Sequence, residues 1–330
     1  MFDLISIGDT VIDTFIPLLE AEVESVNHGN EIKLCLPFGR KIPVGQSVSM
    51  VAGNAANNAV GASRLGLKTA IYTNVGNLGD GKDDDQVIKK FKKEGVDTRY
   101  VVDSNNLPTS HNIILDFKGE RTILTHHQAW KFELPDLDQS KWVYLTSLSP
   151  SFVKLNLISQ LINYLERSNA KLFFNPGTFQ ISLGIKKYPR LLSLVEVFIV
   201  NKEEVKLILE IKDEENLPIK KLLDGIVDLG CKKVVITDGN EGSYGFDGEN
   251  YYHLVAFPAK LVQKTGAGDA FASGTLAGLF YGENLASAMR WGAANSASVV
   301  EHIGAQTGLL THAQIKERLK QNSKIITKEI

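Results

Sequence analysis

Near the C-terminal third, Thr265-Gly266-Ala267-Gly268-Asp269 joins a permissive backbone to a single acid. Gly266 and Gly268 allow conformations that other residues resist, and they let a ligand approach the main chain. The patterned run that follows, from Ala270, reads as a helix. Its first N–H groups have no intrahelical partner and carry partial positive charge, which suits an anion. A carboxylate placed beside such an anion repels it unless it has other work. Taking a proton from a hydroxyl that then attacks a phosphorus held by those N–H groups is such work. The plainer account is a glycine-rich turn whose Asp complements the helix dipole.

Positioning this stretch requires a frame, and the chain supplies alternating strand and helix signals. Phe2 to Ile7, Thr69 to Val75, Trp142 to Leu145, Lys171 to Phe174, Val197 to Val200 and Lys233 to Thr237 are short apolar runs with the look of buried strands. Helical segments lie between most of them, notably Asn54 to Gly66, Phe152 to Arg167 and Ile219 to Leu229. This alternation predicts a parallel sheet covered on both faces, with ligands bound outside the C-terminal strand ends. The polar clusters Gly8–Asp13, Asn175–Thr178, Asn201–Glu204 and Thr237–Gly242 all follow strands, so they are expected to converge there. Residues 18–50 and 98–125 have no helical period and read as strands of a separate small sheet, with a hairpin at Lys118-Gly119-Glu120. A second hairpin is expected around Asp247-Gly248. Asp83-Asp84-Asp85 opens a helix that ends in lysines, the charge order of a solvated helix face. His126 and His127 are adjacent on a strand and point opposite ways, which suits a surface or pocket rim better than a metal.

Composition narrows the function classes. The 330 residues include 43% apolar and 22% charged residues, enough for a sizeable core. A formal charge of −2 gives no general attraction to nucleic acid or anionic membrane. Cys35 and Cys231 are too few for a disulfide framework, and a reducing, cytoplasmic setting is expected. Met1 to Gly8 has no basic leader and no long apolar run, so neither a secretory leader nor a membrane helix is expected there.

Taken together, Gly53–Gly66, Asn201–Glu204, Thr237–Gly242 and Thr265–Asp269 resemble the ribokinase-like, or PfkB-type, carbohydrate kinases, from Phe2 to about residue 310. The resemblance implies one kinase domain over 1–330: a three-layer α/β/α sandwich with a mainly parallel sheet. A β-sheet lid from about 14–50 and 98–127 would close over the acceptor and serve as a contact between two copies. It implies that Asp269 is the general base and that the N–H groups of Gly266, Ala267 and Gly268 form the anion hole. Asp13, Gly53 and Asn57 fall at acceptor-binding positions. Asn201, Thr237, Gly239, Gly242 and Asn295 fall at nucleotide-binding ones, and Glu204 helps hold magnesium through water. ATP is the implied co-substrate and a small sugar the first acceptor, with a nucleoside or a sugar phosphate as alternatives. Arg40, Lys41 and Arg121 are available to pair a phosphate.

Taken without the resemblance, Asn201 and Glu204 read as a helix cap with a first-turn acid, Asp13 as a strand-end turn residue, and Asn295 as helix packing.

Three departures stand out. Gln263 and Lys264 replace the Asp-Thr that many members carry, which argues against a monovalent-cation site and offers the Lys264 ammonium in its place. Ala52 stands where a first Gly is common, and the run Lys33 to Lys41 lengthens the first lid segment. A dinucleotide-dependent oxidoreductase is disfavoured because Gly8-Asp9-Thr10-Val11-Ile12-Asp13 lacks the glycines of that turn. A catalytically silent binding protein is disfavoured by the presence of Asp269, Gly266, Gly268, Asn201 and Glu204.

Overall fold

The structure is a computed structural model that describes all residues except 27–30, 77–82, 105–106, 119 and 213–216. The side chains of 26, 31 and 83–85 also lie outside the description, and with them the acidic opening expected at 83–85. In chain order the strands are β1 (Phe2–Ile7), β2 (Val11–Pro17), β3 (Glu22–Val26), β4 (Glu31–Cys35) and β5 (Val48–Ala52). Helix α1 (Asn54–Arg64), β6 (Thr69–Gly76), α2 (Asp83–Lys93), β7 (Asp97–Ser104), β8 (His111–Phe117), β9 (Glu120–His126) and β10 (Ser140–Leu145) follow. Then come α3 (Leu157–Ser168), β11 (Lys171–Phe174), α4 (Thr178–Leu183), α5 (Pro189–Leu192), β12 (Val195–Asn201), α6 (Lys202–Leu209) and α7 (Ile219–Val227). The chain continues through β13 (Lys233–Thr237), β14 (Ser243–Phe246), β15 (Tyr251–Leu254), α8 (Ala267–Phe280), α9 (Leu285–Val299), α10 (His312–Gln321) and β16 (Lys328–Glu329).

Ten strands form the main sheet in the order β16-β15-β14-β13-β12-β11-β10-β1-β6-β7. From β13 to β7 every pair is parallel, and the hairpin β14–β15 with β16 adds an antiparallel edge. Strand alternation sorts the core into two layers. Val143, Leu145, Phe174 and Phe198 face α3, α5, α6 and α7, whereas Tyr144, Phe173 and Val197 face α8 and α9. Burial on both faces is why these strands read as nearly continuous apolar runs.

A second sheet of four strands, β5-β2-β8-β9, stands apart from the main one where the lid is expected, and β3 pairs with β4 in a separate ribbon. Residues 98–104 depart from the sequence expectation: β7 hydrogen-bonds to β6 at the edge of the main sheet, so the second segment of the small sheet begins at His111. The half-buried pattern of an edge strand looks the same whichever sheet it joins. Strands β8 and β9 pair antiparallel as a hairpin, of which Gly119 lies outside the described residues.

Helices α8 and α9 meet at backbone distance. A Cβ on Gly274 would come 2.6 Å from the Trp291 carbonyl oxygen, and one on Gly278 would come 2.9 Å from the Ala288 Cα. On the facing helix, a Cβ on Gly292 would meet Thr275 Oγ1 at 2.4 Å.

Candidate active site

Asp269 lies in the first turn of α8 and is 8% exposed. Its Oδ2 accepts from Asn57 Nδ2 at 2.8 Å, and Asn57 Oδ1 accepts in turn from Gln306 Nε2 at 3.0 Å. Burial pushes the Asp269 carboxyl up to about 7, against the pull of hydrogen bonds from Asn57 and Asn54; the Asp13 and Glu204 carboxylates add to the rise. A carboxylate with that affinity for protons suits general-base work near neutral pH.

Gly266 caps α8 in the left-handed region at φ 81°, and a Cβ there would lie 2.4 Å from Ala305 Cβ. Both facts demand glycine. Gly268 differs: a Cβ on it would meet nothing within 4 Å, so its service is a bare, open backbone. The Ala267 amide donates to the Lys264 carbonyl at 3.3 Å. The amides of Gly266, Gly268 and Asp269 have no acceptor among the described residues, which makes them the donors left for an anion.

Asp13, expected at the acceptor, lies on β2 with its Oδ1 accepting from Asn112 Nδ2 of β8 at 2.9 Å. Burial raises its carboxyl to about 6, with the Asn112 hydrogen bond and the Arg121 guanidinium pulling the other way. Gly53 caps α1 at φ 101° and packs so tightly that a Cβ would come 2.5 Å from the Asp9 carbonyl oxygen.

On the other side of Asp269, a cleft of about 300 Å³ opens between the β13–β14 loop and the N-terminal part of α8. Thr237, Gly239, Gly242, Ala267 and Gly268 line it, with Phe257 and Ala297 as apolar walls. Lys202 Nζ pairs with Asp238 Oδ2 at 2.7 Å and ties the start of α6 to this loop. Asn201 and Glu204 form a reciprocal capping box on α6, with Asn201 Oδ1 accepting from the Glu204 amide at 2.8 Å and Glu204 Oε2 from the Asn201 amide at 2.9 Å. Glu204 Oε1 makes no hydrogen bond among the described residues. No group of three or more His, Cys, Asp and Glu with metal-binding geometry occurs among the described residues. Asn201 and Glu204 do not line the cleft, but Lys202 beside them is tied to its loop, and one free carboxylate oxygen there fits a magnesium ion that keeps most of its waters.

A family model for the pfkB family of carbohydrate kinases matches residues 6–312. The chain belongs to this family. Members of the pfkB family are phosphotransferases that act on hydroxyl groups. An uncharacterised sugar kinase of Archaeoglobus fulgidus is 26% identical over 255 residues, covering 76% of this chain and 98% of the relative. The ribokinase of Arabidopsis thaliana complexed with ribose and ATP superimposes with a TM-score of 0.78 at 20% identity, covering 97% of this chain and 99% of that one. The nucleoside kinase of Methanocaldococcus jannaschii gives 0.73 at 21% identity, covering 97% and 99%. These neighbours share the ribokinase fold that the structure shows.

Two pfkB-family positions stand differently in this chain than the motifs suggest. Asn295 is 0% exposed and does not line the cleft. Its amide donates to the Ala270 carbonyl at 2.9 Å and Ser273 Oγ at 3.2 Å and accepts from the Leu310 amide at 2.9 Å. It is a helix tie, and Ser296 and Ala297 beside it face the cleft. Lys264 lines the cleft, and its Nζ pairs with Glu120 Oε1 of β9 at 2.6 Å. Gln263 is buried, with Oε1 accepting from the Gly304 amide at 2.9 Å and Nε2 donating to Asp116 Oδ2 at 3.5 Å. Sequence reasoning missed Gln306, whose signal was a polar residue set between Gly304 and Gly308. His126 is exposed on β9, and His127 faces inward against Phe179, with ring centroids 5.1 Å apart.

Proposed function

We propose that the chain transfers the γ-phosphoryl group of ATP to the hydroxymethyl hydroxyl of a small sugar, with Asp269 as general base. The observation that carries this reading is the buried Asp269 carboxylate at a helix end whose amides lack partners, next to Gly268, which lines the cleft. The cleft takes the nucleotide, with the β13–β14 loop against its phosphates. The acceptor lies under the lid, between Asp13 and Asn57. Asp269 takes the proton from the attacking hydroxyl as its oxygen bonds to the γ-phosphorus, while the bond from that phosphorus to the β,γ-bridging oxygen breaks and ADP leaves. The amides of Gly266, Gly268 and Asp269 face the phosphoryl oxygens and stabilise the charge spread over them. Closure of β5-β2-β8-β9 keeps water from competing as acceptor.

Glu204 is the residue that would hold magnesium, through water. Bound magnesium supplies charge neutralisation on the phosphates. A cytoplasmic setting fits a reaction of ATP and a sugar. The outward face of the lid, where Ile113 and Leu124 are exposed while Ile114 is buried, fits a contact between two copies.

A nucleoside acceptor is the second reading, favoured by the likeness to the nucleoside kinase of M. jannaschii. A coupled phosphotransfer screen over pentoses, hexoses, sugar acids, sugar phosphates and nucleosides separates the two. Turnover with a neutral sugar supports the first reading; turnover with nucleosides alone replaces it by the second. In Asp269→Asn, turnover is expected to fall by several orders of magnitude with ATP binding retained.

A further inference from the structure

The proposed reaction leaves Asp9 without a task. It follows β1 directly after Gly8, is 3% exposed, and neither carboxylate oxygen has a hydrogen-bond partner among the described residues. Its polar neighbours are the Ser149 backbone and His127, whose Nδ1 lies 3.7 Å from Oδ2, close enough to pair with it when the ring is protonated but beyond hydrogen-bond reach. The Thr146 hydroxyl at the end of β10 is buried and unpartnered too, and its methyl would sit 2.9 Å from a Cβ on Gly8.

Buried polar groups in folded proteins find partners, and a carboxylate without one is costly. A carboxylate kept for the fold is bonded, as Asp247 is by the Glu249 and Asn250 amides and the Tyr252 hydroxyl. Asp9 and Thr146 sit just past the C-terminal ends of the adjacent strands β1 and β10, the edge where ligands bind in such sheets, and His127 reaches them from the end of β9. Asp9 also lies against the acceptor floor. Its carbonyl touches Gly53 at the start of α1, and one turn along the same helix Asn57 holds Asp269.

We propose that Asp9 and His127 form the distal end of the acceptor site, where they hold hydroxyl groups of a neutral polyol. This rests on the kinase reading and adds the acceptor class to it. Hydroxyls donate to a carboxylate, whereas a phosphate or carboxylate at that end would meet Asp9 head-on. The guanidinium of Arg121 does not relieve this, since its electrostatic partners are Glu120 and Asp13.

The test compares wild type, Asp9→Asn and His127→Asn with ATP and D-ribose, D-fructose or D-fructose 6-phosphate. Wild type is expected to prefer a neutral sugar by kcat/KM. Asp9→Asn is expected to raise the KM for that sugar at least tenfold, with kcat and the KM for ATP within twofold, and to raise Tm by removing a buried charge. An acceptor KM within twofold of wild type overturns the proposal, and a lowered Tm alongside it makes Asp9 a structural partner of His127. A tenfold preference for D-fructose 6-phosphate in wild type overturns the acceptor class. If Asp9→Asn does not fold, His127→Asn decides by the same KM criterion. Absence of phosphotransfer in wild type counts against the kinase reading alone. The pair is then judged by sugar-dependent Tm shifts: a shift in wild type that Asp9→Asn loses supports the pair, and no shift with either neutral sugar overturns it.

Discussion

Asp269 is held by two hydrogen-bonded amides in series, Gln306 to Asn57 to the carboxylate, in a buried place that keeps its proton affinity high. A base works in its ionised form, so kcat/KM is expected to rise with pH through about 7 and then level off, read from initial rates between pH 5.5 and 9. The same burial has a sign in stability. A carboxyl whose folded value lies above its unfolded one loses stability as pH climbs from about 4 to about 7. Asp269→Asn should therefore raise Tm relative to wild type at pH 8 and change it little at pH 4, while turnover falls. At Gln263 and Lys264 the side chains are engaged with Gly304 and the lid. Replacing potassium by a large organic cation is expected to leave the rate unchanged; strong potassium activation would contradict this. The Lys264–Glu120 pair itself is 48% and 76% exposed, so breaking it should cost no more than about 1 kcal/mol.

At the level of elements, the two glycines that open α8 separate geometry from access. Gly266→Ala forces an alanine into the left-handed region against Ala305, and a loss on the order of 1–3 kcal/mol is expected in chemical denaturation. Gly268→Ala places a methyl group in open space beside the cleft, so Tm should hold while the KM for ATP rises. The elements themselves were legible: the β1, β6 and β10 to β13 runs and the helix from Ala270 stand near where their residue types put them. Partnership was less so. Strand β7 shows the same alternation as a lid strand, and only its hydrogen bonds to β6 assign it. Asn295 reads as a nucleotide-pocket residue only through the family resemblance, and as helix packing without it. One position along a helix turns a side chain by about 100°, enough to move it from the cleft into the α8–α9 seam.

For the whole molecule, a sheet covered on both faces leaves its strand ends as the place where polar clusters meet, and that much follows from strand order. The acceptor end was harder to read, because Asp9 and His127 are 118 residues apart and share no motif. Saturating ATP with magnesium is expected to raise Tm by several degrees in wild type, as for any ligand that binds the folded state alone. Glu204→Gln should shrink that shift when magnesium is present and alter it little with ATP in chelator.

The glycine seam between α8 and α9 also has a bearing on time. Helices whose backbones already touch at Gly274, Gly278 and Gly292 have no room to slide past one another. The plate that carries Asp269 and one wall of the cleft is therefore still, and on the proposed reading the travel needed to admit an acceptor falls to β5-β2-β8-β9. Deuterium should enter the amides of the α8–α9 seam last, and those of the lid strands early.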